Sequence, residues 1–417
     1  MAESLANNAP AGRPVRWRAG LILALVATLG SLWIADAAVG FIVPQGKPTL
    51  DETRIRAALR AGATIDRRSP LQAVRDLRAR GEDAWPTVYI GNYWIPRAVF
   101  RDTIYPLAGI SGVVSVMCNE GTHITYTADQ HGFNNPPERW SAAHTDLALV
   151  GDSYVMGWCV PPAESFAALI RRRVPETIVL GFGASGPLTQ LAQMREFLPA
   201  LRPRRVVWFY YENNDQPDLS REKGNPILQR YLDPGFSQQL AARQSQVDDR
   251  LKAFAARRES VVTAEESRRP APDGPVKFTK KVIKLWHLRQ LLKRPAPDVW
   301  NPECCDLALY RTVVTRAKAL VEGWGGTLSV VYLPSEARMS GYPAYGDLAG
   351  DSVVALLDTL GVPVLDLRTR LLEFGTVREL VTYPGSHYST RGHAAVATLV
   401  LRQLDSLAPH QAAVPPQ

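Results

Sequence analysis

The sequence predicts an α/β protein whose core is a parallel sheet of five strands with helices on both faces. Three observations lead to this class. Short apolar runs typical of buried strands recur from residue 146 onward. Segments with helical spacing of apolar residues separate these runs, and such alternation is typical of a parallel sheet. Glycine and polar residues follow the runs, at the edge where parallel sheets form ligand sites.

The strands and helices of this domain, which is predicted over 146–408, follow one another in a regular order. The five strand segments are 146–151, 176–183, 204–211, 326–334 and 362–367. The helical segments between them are 164–174, 187–201, 306–324 and 351–361. Residues 216–300 interrupt this order, because they are polar, contain helical pieces and lack a strand pattern. They predict a helical insertion, in which RRPAPDGP (268–275) is typical of a linker.

Residues 1–44 predict a cytoplasmic stub and a membrane anchor. Three arginines between positions 13 and 18 precede an apolar run over 19–43, which is long enough to span a bilayer as a helix. Positive charge on this flank predicts that it stays in the cytoplasm and that the main body is extracytoplasmic, for example periplasmic. A cleaved signal peptide is the alternative, because Ala35-Asp36-Ala37 has the form of a cleavage site. We favour the uncleaved anchor.

Two segments connect the anchor with the α/β domain. Residues 45–84 are charged and show helical periodicity, so they are expected to form a stalk or a lid over the anchor. Residues 85–145 contain short β-like runs broken by glycine, proline and asparagine, which predict a small antiparallel β-rich appendage.

Composition narrows the range of partners and cofactors. The chain has 417 residues and a formal net charge of +8, but its basic residues are scattered and form no nucleic-acid motif, so no nucleic-acid partner is expected. Its four cysteines lack zinc-ligand spacing, and neither a metal nor an organic cofactor is expected. Cys118 and Cys159 flank the predicted site segments, and a bridge between them suits an exported protein. The sequence does not indicate an oligomeric state.

Four short blocks at predicted strand ends carry residues suited to chemistry. The first is GDS at 151–153, and the second is the glycine-rich loop 181–186. The third is ENND at 212–215, and the fourth is 383–393, which contains two histidines. Because the carboxyl ends of parallel strands meet at one edge of a sheet, the first three blocks are expected to lie close together.

This ordered set of blocks resembles the SGNH (GDSL-type) hydrolase superfamily. Together with YTADQHGFNNP at 126–136, it is similar to a bacterial, membrane-anchored group of that superfamily. The resemblance implies a flavodoxin-like three-layer sandwich and an ester hydrolase. It implies that Ser153 is the nucleophile and His387 the general base, while Gly183 and Asn214 join the Ser153 N–H in an oxyanion hole.

Elementary chemistry agrees with these implied roles. A serine hydroxyl becomes a competent nucleophile when a base within hydrogen-bond reach takes its proton. An imidazole, whose ordinary pKa is near neutral, is suited to that task. The oxyanion that forms on attack needs preorganised donors, each worth about 2.7–4 kcal/mol in the transition state.

The block around His387 departs from the superfamily pattern. An aspartate normally precedes the histidine by two or three residues and orients it, but Pro384 and Gly385 occupy those positions. A Ser-His dyad, a backbone carbonyl or a carboxylate from elsewhere are the alternatives. Asp366, at the end of the fifth strand, is a candidate for that carboxylate, although capping its own turn is the stronger expectation.

Histidine and glycine alternatives exist within two of the blocks. His393 lies at the start of the following helix, where packing is its expected role, so His387 is favoured as the base. Gly181 and Gly186 compete with Gly183 as the loop donor, and the resemblance favours Gly183.

Other residues near the blocks have supporting or open roles. Glu212 stands where the third block normally has glycine, and its side chain either narrows the site or reaches the substrate. Asp152 is expected to shape the nucleophile turn through backbone hydrogen bonds. Asn214 could instead cap its loop. His131 and Asn134-Asn135 are expected to be turn residues that support the site.

The sequence as a whole predicts an extracytoplasmic serine esterase of the SGNH type. It would remove acyl or acetyl groups from a cell-envelope glycan or lipid through an acyl-enzyme. One alternative is an O-acyltransferase that passes the acyl group to a polysaccharide hydroxyl. Another is a non-catalytic glycan-binding or assembly protein, which the missing aspartate leaves open.

Overall fold

The computed structural model describes residues 15–42, 50–91, 104–267, 275–292, 305–341 and 347–406. These residues belong to two compact units. The smaller unit lies within 1–49 and 264–299, and the larger lies within 50–263 and 300–417. The predicted linker 268–275 falls outside the described residues except for its last residue.

The larger unit contains the predicted parallel sheet. Its five strands are β4 (Leu147–Gly151), β5 (Thr177–Gly181), β6 (Arg205–Tyr211), β7 (Thr327–Leu333) and β8 (Val364–Asp366). They pair in the order β5-β4-β6-β7-β8, and every neighbouring pair is parallel. This confirms the α/β class and the five strands. The order reverses direction at β4, so the carboxyl ends of β4 and its two neighbours flank the switch point where such sheets bind ligands.

Helices cover both faces of this sheet. They are α4 (Ser153–Met156), α5 (Phe166–Arg173), α6 (Pro187–Leu201), α12 (Leu307–Glu322), α13 (Glu336–Met339), α14 (Asp347–Thr359), α15 (Val377–Leu380) and α16 (Thr390–Ser406). Alternate residues of β4 face opposite sides, as strand geometry requires. Val150 belongs to the core with α6, α12 and α14, whereas Leu149 belongs to the core with α5 and α16. Burying each such side chain contributes about 1.5–3 kcal/mol.

The predicted β-rich appendage is a three-stranded sheet built into the larger unit. Its strands are β1 (Ala84–Pro86), β2 (Val114–Asn119) and β3 (His123–Thr127). The β2–β3 pair is antiparallel as predicted, but β1 pairs with β2 in parallel, so an all-antiparallel appendage is wrong. Tyr126 and Phe133 are buried in the same core as α6. The appendage is therefore fixed to the body of the domain.

The predicted stalk contains α2 (Leu50–Arg60) and α3 (Pro70–Ala79). Both helices pack against other parts of the larger unit. Val74 and its neighbours on α3 are buried against the β1–β2 pair, and Ala58 on α2 is buried in a cluster with Tyr383. Because their apolar faces are covered by the unit itself, these helices do not project as a free stalk.

The described part of the insertion after β6 consists of helices joined by turns and irregular segments, and it contains no strand. Its helices are α7 (Asp215–Glu222), α8 (Pro226–Arg230), α9 (Gln244–Ser267), α10 (Pro275–Ile283) and α11 (Trp286–Leu292). The first three contribute buried residues such as Leu219, Leu228 and Leu251 to the main core. In contrast, α10 and α11 fall in the smaller unit with α1 (Val15–Ile42).

Helix α1 is apolar enough to cross a membrane. Its segment Trp17–Val39 spans 23 residues with a mean hydropathy of 2.0. By length and composition it qualifies as a membrane span, and an N-terminal signal sequence would qualify equally. Among the described residues it is the single helix with these properties.

Candidate active site

Ser153 lies on a tight strand-to-helix turn at the end of β4. It is the first residue of α4, so its N–H has no acceptor within that helix. Asp152 caps the helix by accepting a 2.9 Å hydrogen bond from Tyr154 N. Gly151 allows the turn to close, because a Cβ there would lie 2.5 Å from Val155 Cγ2. The turn therefore presents the serine hydroxyl at the carboxyl edge of the sheet.

His387 faces that serine from the loop that precedes α16. Its Nε2 lies 3.0 Å from Ser153 Oγ, within the reach that a general base needs. The loop is held by Ser386, whose hydroxyl accepts a 2.8 Å bond from Tyr383 N and whose N–H donates to the Tyr383 carbonyl. The structure thus brings together two predicted residues that are 234 positions apart.

A carboxylate that the sequence did not suggest orients His387. Glu120, in the turn between β2 and β3, places Oε1 2.8 Å from His387 Nδ1, and its Oε2 accepts a 2.9 Å bond from His387 N. Its side chain is buried. One carboxylate therefore holds both the ring and the backbone of the histidine. Ser153, His387 and Glu120 therefore form a continuous hydrogen-bonded series of the serine-histidine-carboxylate kind.

Asp366, the candidate named for that position, lies elsewhere. Its Oδ1 accepts a 2.9 Å bond from Arg368 N, and its Oδ2 pairs with the Arg368 guanidinium. It caps its own turn, which was the stronger expectation. The proposal that it faces His387 is wrong, because Glu120 occupies that position.

Sequence reasoning missed Glu120 because the acid is 267 positions from the histidine and belongs to no motif. The one available signal was Cys118, two positions before it. Cys118 forms a disulfide with Cys159, with a Cα–Cα distance of 5.6 Å. The bridge joins the strand that leads to Glu120 with the loop that follows α4.

Asn214 lies beside the nucleophile turn. Its Nδ2 donates a 2.9 Å hydrogen bond to Asp152 Oδ2. An asparagine amide carries two N–H groups, so this bond fixes the amide and uses one of them. Asn214 Oδ1 is buried without a hydrogen-bond partner. The geometry agrees with a preorganised donor next to Ser153.

The three glycines of the second block differ in their surroundings. Gly186 N already donates a 2.7 Å bond to Glu222 Oε1. Gly181 packs beneath α4, where a Cβ would lie 2.4 Å from Met156 N. At Gly183 a Cβ would lie 2.7 Å from the Tyr89 ring and 2.9 Å from the Trp158 ring. Gly183 therefore remains the predicted oxyanion donor, in a position that only glycine fits.

Two residues beside the site adopt backbone conformations that are unfavourable for side chains. Ala184 has φ of 59° and Cys159 has φ of 58°, both in the left-handed region. Such conformations cost on the order of 1–3 kcal/mol and are concentrated at functional sites. Here they follow Gly183 and Trp158 directly in the chain, so the strain adjoins residues that line the site.

Aromatic rings surround the histidine. Trp158 stacks on the His387 ring at a centroid distance of 5.2 Å and an interplanar angle of 27°. Tyr154 lies 4.9 Å from the same ring. Tyr89 packs against Trp158 at 4.8 Å, and its hydroxyl donates to the Met117 carbonyl. These contacts restrict the imidazole to the plane in which it meets Ser153 and Glu120.

Two buried carboxylates lie under the nucleophile turn. Burial raises the pKa of Asp152, while its bonds from Asn214 and from Tyr154 N act in the opposite direction. Burial also raises the pKa of Asp215 well above its ordinary value, and the nearby charge of Asp152 raises it further. Asp215 accepts a 2.6 Å bond from Tyr211 N. Both side chains therefore act on the backbone of the turn and strand, as was expected for Asp152.

His393 has a structural position. It is fully buried, and its Nδ1 accepts a 3.1 Å bond from Phe166 N. Burial lowers its pKa to about 3, so the ring is neutral at ordinary pH. Its ring also stacks on the Phe166 ring, which fits its expected packing role.

Glu212 is bound within the protein. It accepts hydrogen bonds from Tyr332 Oη at 2.9 Å, Ser335 N at 2.6 Å and Arg338 Nε at 2.5 Å. Its side chain is only 4% exposed. The carboxylate ties the end of β6 to the segment after β7, and it does not extend toward a substrate.

The turn residues of 126–136 brace the site. Asn134 Nδ2 donates a 3.1 Å bond to the Met156 carbonyl at the end of α4. Asn135 exchanges bonds with both backbone groups of Val179 on β5. His131 lies among aromatic rings, 4.5 Å from that of Trp140. Asn134 thus supports the end of α4 and Asn135 supports β5, whereas His131 packs in the core.

No family model and no curated protein matches the chain. A G-D-S-L lipolytic protein from Veillonella parvula is 11% identical with a TM-score of 0.34, over 63% of this chain and 100% of that one. A lipase/acylhydrolase from Enterococcus faecalis is 14% identical with a TM-score of 0.34, over 64% and 100%.

A further structural match is a two-domain esterase active on acetylated mannans. It is 11% identical with a TM-score of 0.33, over 64% of this chain and 51% of that one. Because the identities and TM-scores of these matches are low, the functional proposals rest on the geometry of this chain.

Proposed function

We propose that the chain is a serine esterase of the SGNH type. The observation that carries this proposal is the hydrogen-bonded series Ser153–His387–Glu120, with distances of 3.0 and 2.8 Å. The non-catalytic alternative rested on the missing aspartate. Glu120 supplies a carboxylate at the same ring nitrogen, which removes the reason for that alternative.

The proposed reaction begins when His387 Nε2 takes the proton of Ser153 as Oγ attacks the acyl carbonyl carbon. The carbonyl oxygen becomes an oxyanion, stabilised by the N–H groups of Ser153 and Gly183 and by the Asn214 amide. The C–O bond of the ester breaks, and the alcohol leaves with the proton from His387. Water then attacks the acyl-enzyme in the same way, which releases the acid and restores the serine.

Glu120 supports both steps without itself taking the proton. Its Oε1 accepts from Nδ1, which leaves Nε2 as the basic nitrogen toward Ser153. Its negative charge stabilises the imidazolium that forms during attack. Its second oxygen holds the His387 backbone, so the ring keeps its position through the cycle.

We further propose that the reaction takes place at a membrane and outside the cytoplasm. Its substrates would be acyl or acetyl esters of a cell-envelope glycan or lipid. Two features support this part of the proposal. The apolar run that begins at residue 19 within α1 follows three arginines. A disulfide joins Cys118 to Cys159, which suits an oxidising compartment.

The test uses the full chain in detergent and a small activated ester, p-nitrophenyl acetate. Ser153→Ala is expected to abolish hydrolysis and labelling by a fluorophosphonate, while Ser185→Ala, in the second block, keeps the labelling. Unchanged hydrolysis by Ser153→Ala would contradict the proposal. A sugar acceptor added to the same assay distinguishes transfer from hydrolysis, because a transferase forms acetylated sugar faster than acetate.

A further inference from the structure

A buried carboxylate interrupts the exposed apolar surface of α1. Asp36 is 0% exposed, although most side chains described along α1 are exposed. It lies three residues before the end of the apolar segment Trp17–Val39, about 5 Å along the helix. A carboxylate at such a depth is costly unless it is paired, so its partners explain why it is tolerated.

Helix α11 supplies those partners. His287 Nδ1 lies 2.7 Å from Asp36 Oδ2, and Leu288 N donates a 2.8 Å bond to Asp36 Oδ1. His287 is itself 3% exposed. Helices α1, α10 and α11 belong to the same compact unit. The pair therefore fastens α11 to the C-terminal end of the apolar helix.

The surface that α10 and α11 leave exposed combines apolar and cationic side chains. Val276, Ile283 and Trp286 are 70%, 60% and 36% exposed. Residues 275–292 contain four lysines and one arginine but no aspartate or glutamate. Lys281 Nζ lies 4.4 Å from the centre of the Trp286 ring. Apolar side chains, tryptophan and cations together are typical of helices that lie in a membrane interface.

We propose that α10 and α11 form a membrane-surface element, fixed by Asp36 and His287 to the end of the anchor helix. Ile283 and Trp286 enter the interface of the bilayer, and the lysines bind anionic lipid headgroups. The proposal rests on the part of the proposed function that keeps α1 as an uncleaved anchor, and it does not depend on the esterase chemistry.

The Asp36–His287 pair is relevant to whether the N-terminal segment is cleaved. A cut after Ala37 would remove Asp36 together with the helix and would leave His287 without the carboxylate that it faces.

The experiment uses the full chain in lipid nanodiscs with Cys304 and Cys305 replaced by serine. A spin label is placed at Ile283→Cys, and a matched control label is placed at Leu372→Cys, an exposed leucine (41%) of the larger unit. Power saturation compares contact with oxygen, which enriches in lipid, and with a polar nickel chelate. We expect the oxygen-to-nickel ratio to be severalfold higher at position 283, and equal ratios would overturn the proposal.

Two further arms test the pair and the lipid charge. Asp36→Ala is expected to lower the ratio at 283 toward that at 372, while Ser153-dependent ester hydrolysis is unchanged. Nanodiscs of phosphatidylcholine alone are expected to give a lower ratio than nanodiscs that contain phosphatidylglycerol. An unchanged ratio in either arm would contradict the assigned role of the pair or of the lysines.

The retention of the anchor is measured separately. The intact mass of membrane-extracted protein is expected to include residues 1–36, and a chain that begins after Ala37 would overturn the proposal. Absence of hydrolysis in all samples would count against the esterase alone. The two proposals therefore fail through different measurements.

Discussion

Glu120 binds His387 at two points, with Oε1 2.8 Å from Nδ1 and Oε2 accepting from the backbone N at 2.9 Å. The acid reaches the histidine from a β-turn outside the parallel sheet. The orientation of the proposed base therefore depends on how the small β-sheet packs against the α/β domain. This dependence leads to the predictions that follow.

Glu120→Gln is expected to lower kcat for p-nitrophenyl acetate on the order of 10³-fold or more, because the wrong imidazole tautomer becomes available and the imidazolium loses its counter-charge. The measurement is kcat at pH 8 together with the thermal midpoint, which checks the fold. Asp366→Asn is the control, since that carboxylate pairs with Arg368. An equal loss in both variants would refute the assignment of Glu120.

Substitutions of the two histidines of the fourth block are expected to have different effects on activity and stability. His387→Asn should lower kcat on the order of 10⁴-fold or more, because the serine loses its base. His393→Asn should retain most of the activity but lose stability, since His393 is buried and accepts from Phe166 N. Hydrolysis rates and urea unfolding of both variants decide the matter, and the reverse pattern would identify His393 as the base.

Removing the disulfide should affect stability and turnover together. The bridge closes 41 positions of chain, and the loop-entropy relation gives about 4 kcal/mol for a loop of that size. Cys118→Ser/Cys159→Ser is expected to lose stability of that order and to lower kcat, because Glu120 follows Cys118 by two residues. Urea unfolding and kcat are measured beside Cys305→Ser. A double variant with full kcat would show that Glu120 keeps its position without the bridge.

Asn214 and Asn213 form a matched pair in the third block. Asn214→Ala should lower kcat about 10²- to 10³-fold with a small change in KM, because an oxyanion donor acts in the transition state. Asn213 is exposed, so Asn213→Ala should behave as the wild type. Steady-state kinetics test this, and a loss confined to KM would indicate a ground-state contact instead.

Asp218 should make the fold less stable at alkaline pH. Burial, together with the nearby charge of Glu222, raises its pKa from 3.8 to about 8. The neutral form is favoured in the folded state, so stability is fully present below about pH 4 and is lost as pH rises toward 8. Asp218→Asn should therefore lose less stability than the wild type between pH 5 and 9. Urea unfolding midpoints of the wild type and of Asp218→Asn are measured at pH 5 and pH 9. An equal change of the midpoint in both proteins would contradict the prediction.

Much of the α/β domain follows from local patterns. The apolar runs at 146–151 and 204–211 predict strands because a strand buried on both faces must be apolar at nearly every position. The polar block at the end of each strand then predicts which residues meet, since parallel strands share one edge. Asn214 comes close to Asp152, the chain neighbour of Ser153, for this reason. His387 reaches Ser153 from the loop before the last helix.

The contribution of the β-rich segment could not be predicted in this way. No periodicity relates Glu120 to His387, because the contact depends on how one packed sheet meets another. The prediction of a stalk was wrong for the same reason. Helical periodicity shows that α2 and α3 have apolar faces, but it does not show which part of the protein covers those faces. Asp36 illustrates the point within α1. Ala35-Asp36-Ala37 has the form of a cleavage site, which was the alternative to the favoured uncleaved anchor, and the structure shows Asp36 in a buried pair with His287.

The sequence by itself determined the α/β class, the strand ends and the residue types at the proposed serine, histidine and oxyanion positions. The class and the strand ends depend on local periodicity and on one rule of parallel sheets, whereas the roles of the serine, histidine and oxyanion residues come from the resemblance of four ordered blocks to a known superfamily. Only the tertiary structure decided which carboxylate faces the histidine. A buried carboxylate pairs with the donor that tertiary packing brings within hydrogen-bond distance. That donor can lie at any separation along the sequence.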